Sequence, residues 1–194
     1  MYLRNVCLML LCVLLAACEQ KLPSPFKASE VTAQYAQAEL HLRSPDGKSV
    51  TLADYRGKVV ALFFGYTHCP DVCPTTLADM AQVMRMLGKD AERVQVLFVT
   101  LDPERDTPEL LAQYVPAFYP SFLGLYGDAQ ATAAAAQAFD IVYQKQPTKS
   151  GSYTLDHSAG TYLIGPAGHP VLLSPFAQRP ELLVQDIRLL QAMR

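Results

Sequence analysis

The residues best suited to chemistry are two cysteines four positions apart, in Cys69-Pro70-Asp71-Val72-Cys73-Pro74. The pair lies between an apolar β-forming run and a helical pattern, where open α/β sheets bind ligands. A tight turn can bring two such sulfurs within disulfide reach, since bridged Cα atoms lie ~4.4–6.8 Å apart. Cys73 falls at the start of the helix, whose dipole favours a thiolate. Thiolate is the form that both metal binding and disulfide exchange use. An inert buried pair is the bland alternative, but a proline-bracketed loop is a poor place to hide two thiols. Thioredoxin-type redox motifs usually place two residues between the cysteines. Here there are three, giving a wider bite, and Asp71 sets a negative charge beside the sulfurs. Two thiolates suit Cu(I), and an added imidazole extends such a site to Cu(II).

A third ligand has to come from the four histidines. His41 shares the polar side of an alternating segment with Glu39 and Arg43, and His169 sits in a turn between Gly168 and Pro170. Both read as exposed. His68 adjoins Cys69, but neighbours on an extended chain point apart. His157 follows a long polar stretch and precedes a strand. Asp156 beside it could fix its tautomer from outside the ligand set. From the residues alone, His157 reads equally well as a ligand or as an ordinary hydrogen-bonded histidine. A structural zinc site is disfavoured, since such sites almost always use four ligands and three good ones are present.

The elements that must position these groups follow from the pattern. Residues 39–43 and 50–52 flank Pro45-Asp46-Gly47 and read as a hairpin. Val59 to Phe64 is a continuous apolar run of the kind found in strands buried on both faces. Leu77, Met80, Met84 and Leu87 then recur at helical spacing, with Pro74 in the first turn and Gly88 as the stop. Residues 94–101 form a second buried strand, broken at Asp102-Pro103. Asp102 is either a turn former or a carboxylate near the sulfurs. Thr107 caps one helix and Asp128 a second, Ala-rich one ending near Phe139. Residues 144–156 read as a long polar loop inserted before His157. Residues 158–164 and 171–173 form a closing hairpin, and Pro180 opens a last helix bearing Leu183, Ile187 and Leu190. The order predicts an α/β fold with a central mixed sheet flanked by helices.

The N-terminus reads as a targeting segment. Arg4 precedes an apolar run from Val6 to Ala17, too short to span a bilayer, which takes ~20 residues. Leu15-Ala16-Ala17-Cys18 resembles a bacterial lipobox, with Cys18 as the lipidated residue. An uncleaved signal anchor is the alternative. Residues 1–17 are thus expected to be a signal peptide, 18–37 a lipid-anchored tether and 38–194 the folded domain. Of the five cysteines, only Cys69 and Cys73 remain in the mature domain, exposed to an oxidising compartment. The net charge of −2 excludes the strong basic bias of a nucleic-acid-binding surface.

Three segments carry a family resemblance. Phe63-Phe64-Gly65-Tyr66-Thr67-His68-Cys69-Pro70-Asp71-Val72-Cys73-Pro74, Leu101-Asp102-Pro103-Glu104-Arg105-Asp106-Thr107-Pro108, and Asp156-His157-Ser158 with Tyr162-Leu163-Ile164 are collinear with the Sco/SenC family. Gly165 departs from it, since members often carry an acidic residue there. The resemblance implies a thioredoxin-like fold, membrane anchoring, and copper delivery to the binuclear copper centre of cytochrome c oxidase subunit II. It places the copper ligands on Cys69, Cys73 and His157, and gives Asp102 a tuning role next to the metal or thiols. The periplasm would be the working compartment. The competing expectation is a thiol–disulfide oxidoreductase that uses Cys69 and Cys73 to keep the receiving protein's cysteines reduced.

Overall fold

A computed structural model describes residues 24–149 and 151–193. The expected signal peptide and the lipidated Cys18 lie outside the described residues. Ten strands occur among those residues, six of them in one sheet: β1 (Ser29–Glu30), β2 (Leu42–Arg43), β3 (Ser49–Val50), β4 (Val59–Gly65), β5 (Val94–Thr100), β6 (Leu123–Leu125), β7 (Tyr143–Pro147), β8 (Tyr153–His157), β9 (Gly160–Ile164) and β10 (Pro170–Pro175). The helices are α1 (Val72–Leu87), α2 (Pro108–Tyr114), α3 (Ala129–Ala138) and α4 (Pro180–Ala192).

The large sheet runs in the order β1-β10-β9-β4-β5-β6. Its middle is β4, all seven residues of which are buried. It pairs in parallel with β5, from Val59 opposite Val94 to Gly65 opposite Thr100, and antiparallel with β9. A central strand buried on both faces has no polar face to show, so its sequence is one unbroken apolar run. Helix α1 buries Leu77, Met80, Met84 and Leu87 at helical spacing and packs against α4, which buries Leu183, Ile187 and Leu190. Gly88, at φ 59°, stops α1 with a backbone conformation that side chains resist. This is the mixed sheet with flanking helices, in the thioredoxin-like class, that the sequence predicts.

Two segments differ from expectation. Residues 28–35 were expected in the tether, yet they lie against the sheet edge. There β1 pairs with β10, and Ala28, Val31 and Tyr35 are buried. The buried carboxylate of Asp186 on α4 accepts hydrogen bonds from the Lys27 and Ala28 amides, both at 2.8 Å. The segment holds too few large apolar residues to announce itself, and that carboxylate, 158 residues downstream of Ala28, secures its start.

The stretch 144–156 is not an irregular loop. Strands β7 and β8 form a separate two-stranded antiparallel sheet, with Tyr143 opposite His157 and Pro147 opposite Tyr153. Only Leu155 in the two strands is fully buried, so the apolar pattern that marks a strand is missing.

Candidate metal centre

The cysteine loop springs from the buried end of β4. The Cys69 amide donates to the Tyr66 carbonyl at 3.3 Å, closing a turn, and α1 begins at Val72. Helix N-termini leave amides without intrahelical partners. Here the Cys73 amide donates to the sulfur of Cys69 at 3.4 Å, so one cysteine caps the helix that carries the other. Cys69 is half-buried and Cys73 fully buried.

Space for the Cys73 sulfur exists because residue 65 is glycine. A Cβ at Gly65 would stand 2.8 Å from Cys73 Sγ and 3.0 Å from the Phe98 ring. The sequence shows Gly65 at the end of a strand but not what packs on it.

His157 arrives from the end of β8. Alternate side chains of a strand share a face, so Tyr153, Leu155 and His157 turn toward the body while Asp156 is exposed. Nε2 of His157 lies 3.6 Å from Cys73 Sγ. The donor atoms of Cys69, Cys73 and His157 all lie within 4.8 Å of one another, forming the one such cluster found among the described residues. Nδ1 lies 2.8 Å from the Ser158 carbonyl oxygen. A carbonyl can only accept, so in the neutral ring Nδ1 carries the proton and Nε2 keeps the lone pair that a metal needs. The tautomer is thus held by the Ser158 backbone and not by Asp156, which faces away.

Burial pushes the Cys73 thiol far above the ordinary thiol range. The nearby Cys69 sulfur and Asp106 carboxylate reinforce the shift, and a backbone hydrogen bond from Tyr66 opposes it. This corrects the expectation that the helix dipole would make Cys73 a thiolate. A dipole contributes up to ~1 kcal/mol at an exposed terminus, and desolvation of a buried sulfur exceeds it. A bound cation reverses the balance, because a coordinating thiol is deprotonated outright.

The two carboxylates of the second motif take different places. Asp102 is buried, but its carboxylate does not reach the sulfurs. It accepts from Arg105 Nε at 2.5 Å and from the Tyr153 hydroxyl at 2.8 Å, tying the β5–α2 loop to the start of β8. Asp106, which sequence reasoning passed over, is the carboxylate under the cysteine loop. It accepts from the Thr67 amide (2.9 Å), the Thr67 hydroxyl (2.6 Å) and the Thr100 hydroxyl (2.6 Å). Its position in Asp102-Pro103-Glu104-Arg105-Asp106 was the available signal, but a buried acceptor and a solvated charge look alike in a sequence.

The other histidines stay apart from the cluster. His68 is half-exposed, with Nδ1 3.0 Å from the Thr67 hydroxyl and 3.6 Å from Asp106. His41 is exposed beside Glu39, and His169 is exposed. An open groove adjoins the cluster, lined by Tyr66, Cys69, Pro70, Leu155 and His157 among others.

With this geometry in hand, the comparisons are specific. The SCO1/SenC family model matches residues 29–192. The human mitochondrial protein SCO2 homolog is 40% identical over 147 residues, covering 73% of this chain and 55% of that protein. The chain therefore spans about half the length of this curated relative. Among solved structures, copper-bound ScoI from Bradyrhizobium japonicum is 41% identical with a TM-score of 0.71, covering 77% of this chain and 96% of that one. Copper-bound yeast Sco1 is 29% identical with a TM-score of 0.72, covering 80% and 88% respectively.

Proposed function

The chain belongs to the SCO1/SenC family, and from that premise we propose that it is a copper metallochaperone. It takes one copper ion on Cys69 Sγ, Cys73 Sγ and His157 Nε2 and supports assembly of the binuclear copper centre of cytochrome c oxidase subunit II. The observation that carries this reading is the convergence of two sulfurs and one bare imidazole nitrogen within 4.8 Å. Solved relatives hold copper on the same fold.

The donor set fits copper as cargo. Two thiolates hold Cu(I), and the imidazole accommodates Cu(II). Binding displaces the thiol protons, so affinity rises with pH and uptake releases protons. With three protein ligands beside an open groove, a receiving site can replace them one at a time without releasing free ion.

We further propose a lipid anchor on Cys18 that holds the domain at a membrane, facing the bacterial periplasm. Among the described residues no helix is long and apolar enough to cross a membrane. The acyl chains would supply the attachment, at ~0.8 kcal/mol per buried methylene.

The second reading is a thiol–disulfide oxidoreductase acting on the receiving protein's cysteines. One observation favours it: Cys69 is half-buried, with its sulfur against the N-terminus of α1, as an attacking thiol should be. Complementation separates the two. In a deletion strain at limiting copper, His157→Ala should fail to restore oxidase activity under the chaperone reading, although its thiols can still exchange. Full restoration by His157→Ala would leave the oxidoreductase reading in its place.

A further inference from the structure

The third ligand is carried on a strand outside the large sheet, so something must hold it in register. Strand β8 belongs to the small β7–β8 sheet, and its Leu155 is its one fully buried side chain. Four residues before His157, Tyr153 is gripped from the β5–α2 loop. Arg105 Nη1 donates to the Tyr153 carbonyl at 2.9 Å, and the Arg105 guanidinium lies 3.7 Å from the Tyr153 ring centroid. The same guanidinium donates through Nε to Asp102, which also accepts the Tyr153 hydroxyl. It also lies 5.8 Å from the Tyr66 ring centroid, and that ring meets the His157 imidazole edge-on at 6.1 Å. Arg105 thus contacts two aromatic rings, one on the strand that delivers His157 and one against His157 itself.

Stability alone does not account for this arrangement. Arg105 Nη2 is buried with no hydrogen-bond partner among the described residues. Replacing a buried ion pair by apolar groups is often neutral or stabilising, whereas a planar fork fixes direction in a way that neither an apolar side chain nor a lysine can. We infer that Arg105, clamped by Asp102, is the positioning residue for His157. It sets the register of the β7–β8 hairpin over the two sulfurs and thereby selects for Cu(II), which needs the imidazole, over Cu(I), which the thiolates hold unaided. This inference rests on the copper reading above for its second half only. The clamp itself is a property of the metal-free chain.

The test uses the full chain, detergent-solubilised, with Arg105→Met and with the double variant Asp102→Asn/Arg105→Met. The double variant removes both charges together and so avoids stranding Asp102 as a lone buried carboxylate. In the metal-free proteins, amide hydrogen exchange in residues 154–158 should rise at least 10-fold, while that of 60–64 in β4 stays unchanged. In the copper-loaded proteins, Cu(II) affinity measured by chelator competition should fall about 10-fold, the lower end of what loss of support around a metal ligand costs. Cu(I) affinity should change less than threefold. Arg105→Lys should not rescue Cu(II) binding, because a point charge cannot make the fork. Unchanged exchange at 154–158 in the double variant overturns the clamp. Faster exchange with Cu(II) and Cu(I) weakened equally overturns the selection between oxidation states. If wild type binds no copper while exchange at 154–158 still rises in the variants, the copper reading has failed and the clamp stands.

Discussion

The two sides of the proposed copper site are built in opposite ways. The sulfurs hang from β4 and α1, the most buried strand of the large sheet and the helix that follows it. The imidazole comes 84 residues after Cys73, on a separate two-stranded sheet in which only Leu155 is fully buried. One side is held by apolar packing and by a buried carboxylate beneath the loop. The other is held by an arginine fork, two rings and one buried leucine. Apolar packing is insensitive to direction over small displacements, whereas hydrogen bonds demand it. The imidazole is therefore placed chiefly by polar contacts, whereas the sulfurs are placed by packing together with the Asp106 carboxylate beneath their loop.

That contrast predicts where the molecule breaks most easily. Asp106→Ala should have the largest effect on the sulfur side, since it leaves the Thr67 amide and two hydroxyls without their acceptor. A loss of ~3 kcal/mol in urea denaturation of the metal-free chain is expected, given that hydrogen bonds to charged groups contribute ~1.5–3 kcal/mol each. A loss below ~1 kcal/mol would mean that packing alone holds the cysteine loop.

A smaller effect belongs to the Cys73 thiol. Its folded pKa is raised, chiefly by burial, so the folded chain keeps its proton while the unfolded thiol ionises near pH ~8.5. Stability is fully present below that pH and falls as pH rises above it. From pH 8.5 to 9.5 the metal-free chain should lose ~1 kcal/mol, less so in Cys73→Ala. A flat profile over that window would show the sulfur to be wetter than the structure has it.

The smallest effect lies on the hairpin's outer side. Lys145 pairs with Glu104 at 2.7 Å, and both are well exposed. Exposed pairs gain little after solvent screening and side-chain entropy. Lys145→Ala should leave the denaturation midpoint unchanged and copper binding intact. A clear loss of Cu(II) binding would move the hold on His157 from the buried clamp to this surface pair.

The same contrast explains what the sequence revealed. β4, α1, β5 and the caps at Thr107 and Asp128 are written in local apolar period and capping chemistry, and each lies where the pattern predicts. The Cys69–Cys73 pair is local too. The β7–β8 hairpin carries no such pattern, because Tyr153 and His157 are only half-buried and their hold comes from Arg105, 48 residues before Tyr153. Residues 28–35 escaped notice for a related reason, since their partners are the distant strand β10 and, at Ala28, the Asp186 carboxylate on the last helix. Asp102 stays open between a turn former and a carboxylate near the sulfurs, and Asp106 is passed over, since one-dimensional sequence does not distinguish a buried carboxylate from a solvated one. Elements stabilised by their own period are legible, and elements stabilised by distant polar partners are not.

The most direct test is to load the full chain with copper and record the sulfur-to-copper(II) charge-transfer absorption. Wild type should bind one ion per chain with a strong visible band. Cys69→Ala and Cys73→Ala should each abolish tight binding. His157→Ala should lose most of the Cu(II) band while still holding Cu(I) on its two thiolates. An undiminished Cu(II) band in His157→Ala would remove the imidazole from the site and contradict the three-ligand account.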